Sequence, residues 1–177
     1  MDAAARGGGP LNDQAERLRR RVLSPWGFRA YLLGKLPLAA FAGLRLRRLD
    51  DTACIVSLPG GWRTRNPFGS TYFAAQAMAA EMSTGAPALV LVRAAPASVA
   101  LILTGLSATF TKRVLGTSLF TFEDVAGLRA VIEGVAAQGG TATYTGRSVG
   151  RTADGTVAAE FDVTWSFKRR DRLTAVP

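Results

Sequence analysis

The chain has 177 residues, with 22 Lys or Arg against 13 Asp or Glu (net charge +9), no histidine and one cysteine, Cys54. The missing histidine excludes a Ser-His-Asp or Cys-His nucleophile system, an imidazole base and every His-containing metal site, and one cysteine excludes an internal disulfide or a multi-thiolate zinc site. Any chemistry falls to carboxylates, hydroxyls, amides and backbone dipoles, with no metal or cofactor expected, in a 48% hydrophobic, 20% charged chain of one-domain size.

Residues 1–11 read as a disordered tail without the apolar core of a signal peptide, and no apolar run approaches the roughly 20 residues that span a bilayer. A cytoplasmic protein is expected. Asn12 or Asp13 predicts the cap of a short basic helix reaching about Leu23, so residues 1–23 form a tail and basic helix ahead of a single domain over 24–170, with a tail at 171–177. Ser24-Pro25 predicts the cap and first turn of a second helix, Trp26 to about Leu36, carrying Phe28, Tyr31, Leu32 and Leu33 until Pro37 interferes. Packing against its own domain explains this helix better than lying on a membrane.

The positive charge concentrates in Arg17, Arg19, Arg20 and Arg21 and in Lys168, Arg169, Arg170 and Arg172, whereas residues 66–146 are neutral overall. These clusters read as solvated terminal faces. No zinc-finger or RNA-recognition signature accompanies them, so no specific nucleic-acid partner is expected, and membrane-surface contact through the basic N-terminus is the lesser alternative.

Leu44–Leu49 and Ala53–Leu58 predict a hairpin across Asp50-Asp51-Thr52. A loop from Trp62 to Gly69 then leads into a helix over about 70–84, capped by Ser70 and stopped by Gly85. Its small and apolar residues run all the way round, which predicts a helix enclosed on every side. Residues 86–97 are ambiguous between helix and strand. Val99–Lys112 and Leu115–Phe122 read as strands, and Glu123–Ala137 as an amphipathic helix ended by Gly139-Gly140. The alternation of Val157, Ala159, Phe161, Val163, Trp165 and Phe167 predicts a half-buried final strand. With Asp154-Gly155 as a two-residue turn, Ala153 faces Thr156, Tyr144 faces Trp165 and Arg147 faces Asp162. About six strands and one enclosed helix predict an α+β fold, an antiparallel sheet curled around the central helix with extra N-terminal helices.

The run Asn66-Pro67-Phe68-Gly69-Ser70, followed by a small-residue helix with Glu81 fifteen positions after Asn66, resembles the hotdog-fold thioesterase-like superfamily. The resemblance is to its branch of unknown function, related to phenylacetyl-CoA-type thioesterases, and spans roughly residues 24–170. It implies a homodimer or tetramer that binds an acyl group as a coenzyme A or carrier-protein thioester, with the pocket between one subunit's helix and its partner. A non-catalytic fatty-acyl or hydrophobic-ligand binding protein of the same fold is the alternative. Tyr72-Phe73-Ala74 stands where the related enzymes carry His-Gly-Gly, and the Phe73 side chain is placed to fill ligand space.

For hydrolysis, Glu81 is the candidate base or nucleophile, its pKa raised by burial. Asn66 is the candidate for positioning water or the carbonyl. The backbone N–H groups of Phe73 and Ala74 at the helix start are candidate oxyanion donors. Gly69, Tyr72 and Gln76 are candidate pocket residues, and Arg65, Lys112 and Arg113, with Arg63, are candidates for coenzyme A phosphates. Lys112, Arg113 or a backbone amide is equally a candidate partner for Glu81. Cys54 reads as a small buried hydrophobe.

Overall fold

In the computed structural model, which describes residues 11–170, local capping chemistry sets the N-terminal helices. Helix α1 (Asp13–Leu23) starts where the Asn12 side chain accepts from the Ala15 N–H, and α2 (Pro25–Lys35) where Ser24 accepts from Gly27 with Pro25 in the first turn. Helix α2 ends at its cap Leu36, ahead of Pro37, as expected. Pro37 opens a further short helix, α3 (Pro37–Ala42), closed by Gly43 in the left-handed conformation.

Six strands follow: β1 (Arg45–Leu49), β2 (Cys54–Leu58), β3 (Val99–Phe110), β4 (Ser118–Phe122), β5 (Thr141–Thr152) and β6 (Val157–Arg169). They form one sheet in the order β1-β2-β4-β5-β6-β3, with every neighbouring pair antiparallel. Helix α4 (Phe73–Ala94) packs against β2, β3, β4, β5 and β6, while α5 (Val125–Gln138) lies against α4, β3, β5 and β6. The core is the seam between α4 and the sheet. Ala79, Ala80 and Ala88 of the helix and Val56, Phe120, Phe122, Phe161, Val163 and Phe167 of the strands are all buried there. Alanines let the helix approach the sheet closely while the phenylalanines supply the apolar area.

Three expectations change. The central helix does not stop at Gly85: it runs for 22 residues through Pro87 to Ala94, which resolves the ambiguous segment as helix. Gly85 serves packing, because a Cβ there would lie 3.0 Å from the Trp165 ring. Ser70 does not cap the helix either. Tyr72 is the capping residue, without a side-chain bond, and the first turn exposes Tyr72 and Phe73. The strands expected over Val99–Lys112 and Leu115–Phe122 are shorter, ending at Phe110 and beginning at Ser118.

The last hairpin has the expected register, Tyr144 opposite Trp165 and Arg147 opposite Asp162, though the turn differs. Thr152 N–H bonds to Thr156 and Gly155 N–H bonds back to Thr152, so Ala153-Asp154-Gly155 form a three-residue turn. The shift of pairing between Gly150 and Arg151 leaves Ala158 as the extra residue, which restores the register. Residues 1–10 and 171–177, including the expected tails and Arg172, lie outside the described residues. No described helix is long and apolar enough to cross a membrane.

Candidate functional site

Glu81 lies two turns into α4, on the side of the helix that faces α1, α2 and the β3–β6 edge of the sheet. There it lines an apolar pocket of about 230 Å³ whose other walls include Leu18 and Val22 of α1, Phe28 and Tyr31 of α2, and Leu101 and Trp165 of the sheet. Its carboxylate has no hydrogen bond or ion pair among the described residues, and burial pushes its pKa above the usual 4.5. Neither Lys112 nor Arg113 reaches it. The neighbouring indole is held in place: Trp165 donates from Nε1 to Thr84 Oγ1 at 2.9 Å. Tyr31 supplies the pocket's hydroxyl group.

Asn66 is spent on its own loop. Its Oδ1 accepts from the N–H groups of Phe68 (3.0 Å) and Ser70 (3.1 Å), and its Nδ2 donates to Ser70 Oγ at 3.1 Å. Two backbone bonds, Asn66 N–H to Ser70 and Gly69 N–H to Asn66, complete the turn, with Gly69 at a φ of +77° that an L side chain rarely adopts. Arg113 donates to the Phe68 carbonyl, which joins the loop to the β3–β4 connection. The backbones of Arg65 and Thr71 pair in an isolated antiparallel bridge at the two ends of the same loop.

Two sets of residues therefore stand apart. The loop set brings Asn66, Gly69 and Arg113 together. Arg113 and Lys112 also border an open depression of about 450 Å³ with Thr152 and Asp154, and Arg63 borders another with Trp62 and Pro59; neither shares a residue with the Glu81 pocket. Tyr72 and Phe73 stack edge-on with ring centres 4.8 Å apart at the exposed start of α4. Eight residues separate Phe73 from Glu81, about 12 Å along the helix axis at 1.5 Å per residue. The N–H groups of Phe73 and Ala74 thus do not reach a carbonyl beside Glu81 of the same chain. Gln76 is buried on another side of α4, donating to the Thr71 carbonyl at 3.2 Å while its Oε1 has no partner.

Sequence reasoning missed the contribution of α1 and α2 to the pocket. The readable signal was the 3–4 residue spacing of Leu18, Val22 and of Phe28, Tyr31, which marks apolar faces without saying what they face. Cys54 is buried, and burial pushes its thiol well above its ordinary pKa, so it acts as a core residue. No group of residues able to hold a metal ion occurs among the described residues.

A six-stranded antiparallel sheet wrapped on a long helix is the hotdog fold. Residues 25–166 match the family described as "Domain of unknown function (DUF4442)", and the chain belongs to that family. Solved structures share the fold at low identity. A protein of unknown function from Chlorobaculum tepidum is similar with a TM-score of 0.68 at 13% identity, over 84% of this chain and 99% of that one. A protein from Shewanella oneidensis assigned as a candidate thioesterase reaches 0.68 at 13% identity, over 85% and 97%. A thioesterase from Haemophilus influenzae reaches 0.61 at 10% identity, over 82% and 91%. Comparison with curated protein sequences finds no match.

Proposed function

We propose that the protein binds an acyl group carried as a thioester, on coenzyme A or a carrier protein, in the pocket beside Glu81, and that Glu81 acts as general base in its hydrolysis. One observation carries this reading: a carboxylate with no hydrogen-bond or charge partner among the described residues faces an apolar pocket. An unpaired carboxylate costs stability in such a place and gains basicity from it. The Glu81 carboxylate takes a proton from water as the water oxygen bonds to the thioester carbonyl carbon. The C–S bond then breaks and the proton passes to the leaving thiolate.

The pocket's size supports a medium-length chain. A cavity of about 150 Å³ holds benzene, so 230 Å³ fits roughly nine carbons. The exposed outer strand supports a homodimer as the working unit: β3 is unpaired along one edge and shows Ile102, Leu103, Leu106 and Phe110 to solvent. Leu101 of that strand lines the pocket, so a second copy added to the edge would lie beside it. Such a copy could bring its own helix start, with the Phe73 and Ala74 N–H groups, to the carbonyl that Glu81 serves.

The second reading, an acyl-binding protein without turnover, is favoured by the distance between Glu81 and the helix start of the same chain. Hydrolysis and binding measured from acetyl-CoA to palmitoyl-CoA separate the two. Turnover peaking near octanoyl- to decanoyl-CoA supports the first, and binding at those lengths without turnover supports the second. Neither binding nor turnover at any length contradicts both.

A further inference from the structure

Helix α2 is apolar on two opposite sides, and the domain uses only one. Phe28 and Leu32 are buried. Opposite them, Trp26, Ala30 and Leu33 follow the 4-then-3 spacing of a single helical stripe, and Trp26 is 83% and Leu33 60% exposed. The ridge continues into α3, where Leu38 is 67% exposed and the Phe41 ring meets the exposed Trp62 edge-on at 5.7 Å. A soluble surface rarely carries so much contiguous aromatic and aliphatic area without a use for it.

The charge along this part of the sequence has one sign. From Arg17 to Leu49 there are nine Lys or Arg and no Asp or Glu. Arg29 and Lys35 sit on α2 itself, exposed like the stripe beside them. Glu16, the nearest acid before this stretch, is already paired with Arg19 at 2.9 Å and Arg20 at 3.0 Å. Bulky apolar groups with a tryptophan at the helix start, surrounded by exposed cations, match the physical requirements for settling into an anionic lipid interface.

We propose that the α2–α3 face is a docking surface for anionic membrane, with Trp26, Leu33 and Leu38 entering the headgroup–acyl boundary and Arg29 and Lys35 contacting lipid phosphates. The assignment does not depend on the acyl reading. Leu36 connects the two all the same: it lines the Glu81 pocket and is exposed between Leu33 and Leu38, so docking sets the pocket wall against the lipid surface.

Co-sedimentation of the full chain with phosphatidylcholine vesicles, with and without phosphatidylglycerol, tests the proposal, with tryptophan emission as a second readout. Binding is expected only to vesicles containing phosphatidylglycerol, with a blue shift in emission and loss at high salt. The Trp26→Ser/Leu33→Ser variant is expected to lose at least about tenfold in partitioning. Arg29→Glu/Lys35→Glu, which leaves the ridge intact, is expected to lose binding while melting like the wild type. No binding to acidic vesicles, equal binding to neutral ones, or unchanged partitioning of both variants overturns the proposal. So does a Trp26→Ser/Leu33→Ser variant that dissociates a larger wild-type assembly in the absence of lipid, because the face is then a contact between copies.

Discussion

Gly85 and Trp165 share a space that holds only one side chain. A Cβ on Gly85 would lie 3.0 Å from Cζ2 of the indole and 3.0 Å from Glu81 Oε1. The indole cannot withdraw without breaking its bond to Thr84, and it is buried. The glycine thus keeps α4 close to β6 and leaves room for the Glu81 carboxylate.

Gly85→Ala is therefore expected to destabilise the fold. An exposed helical site would gain up to about 1 kcal/mol from this change, but overpacking against a fixed ring costs about 1–3 kcal/mol. A lower urea midpoint with unchanged slope checks it; a higher midpoint shows that the ring moves aside.

Glu81 sets the sign of a pH effect. Its folded-state pKa is raised by burial, so the folded state resists ionisation more than the unfolded chain does. Stability from this residue is at its fullest below the unfolded value near 4.5 and declines as pH rises through the higher folded value. Glu81→Gln is expected to raise the melting temperature by a few degrees at pH 8 and to leave it unchanged near pH 4. Equal melting curves at both pH values would show that the carboxylate finds a partner or water in solution.

The Asn66 loop predicts an order of stabilities. Asn66→Ala removes the acceptor for two backbone N–H groups and is expected to cost about 1 kcal/mol. Asn66→Asp keeps that acceptor and is expected to melt close to the wild type. If Asn66→Asp falls as far as Asn66→Ala, the Nδ2 bond to Ser70 is what holds the loop.

Parts of this architecture were legible in the residues. The alternation from Val157 to Phe167 yields the pairing of Tyr144 with Trp165 and Arg147 with Asp162, because a strand with one buried face tolerates no slip by one. The turn itself was misread by one residue, and the bulge at Ala158 cancelled the error. The end of α4 was not legible, since Gly85 reads locally as a stop. Its tertiary role, room for Trp165, has no local signature. The same limit hid the pocket: Glu81 was visible as an acid on an apolar helix, whereas its walls come from α1, α2, β3 and β6, which only the fold brings together.

The exposed edge of β3 predicts an assembly in solution. The wild type is expected to elute and scatter as a dimer, and Leu106→Lys, on the open edge, to shift it toward monomer without loss of helix content. A wild-type monomer at micromolar concentration would leave the helix start and Glu81 unable to act on one thioester.

The most direct test compares wild type and Glu81→Gln with octanoyl-CoA in single turnover, alongside binding of its non-hydrolysable thioether analogue. If Glu81 is the base beside the acyl pocket, the variant loses at least about a hundredfold in rate and still binds the analogue as the wild type does. Equal rates in the two proteins, with the analogue bound equally, would remove Glu81 from the chemistry and contradict the account.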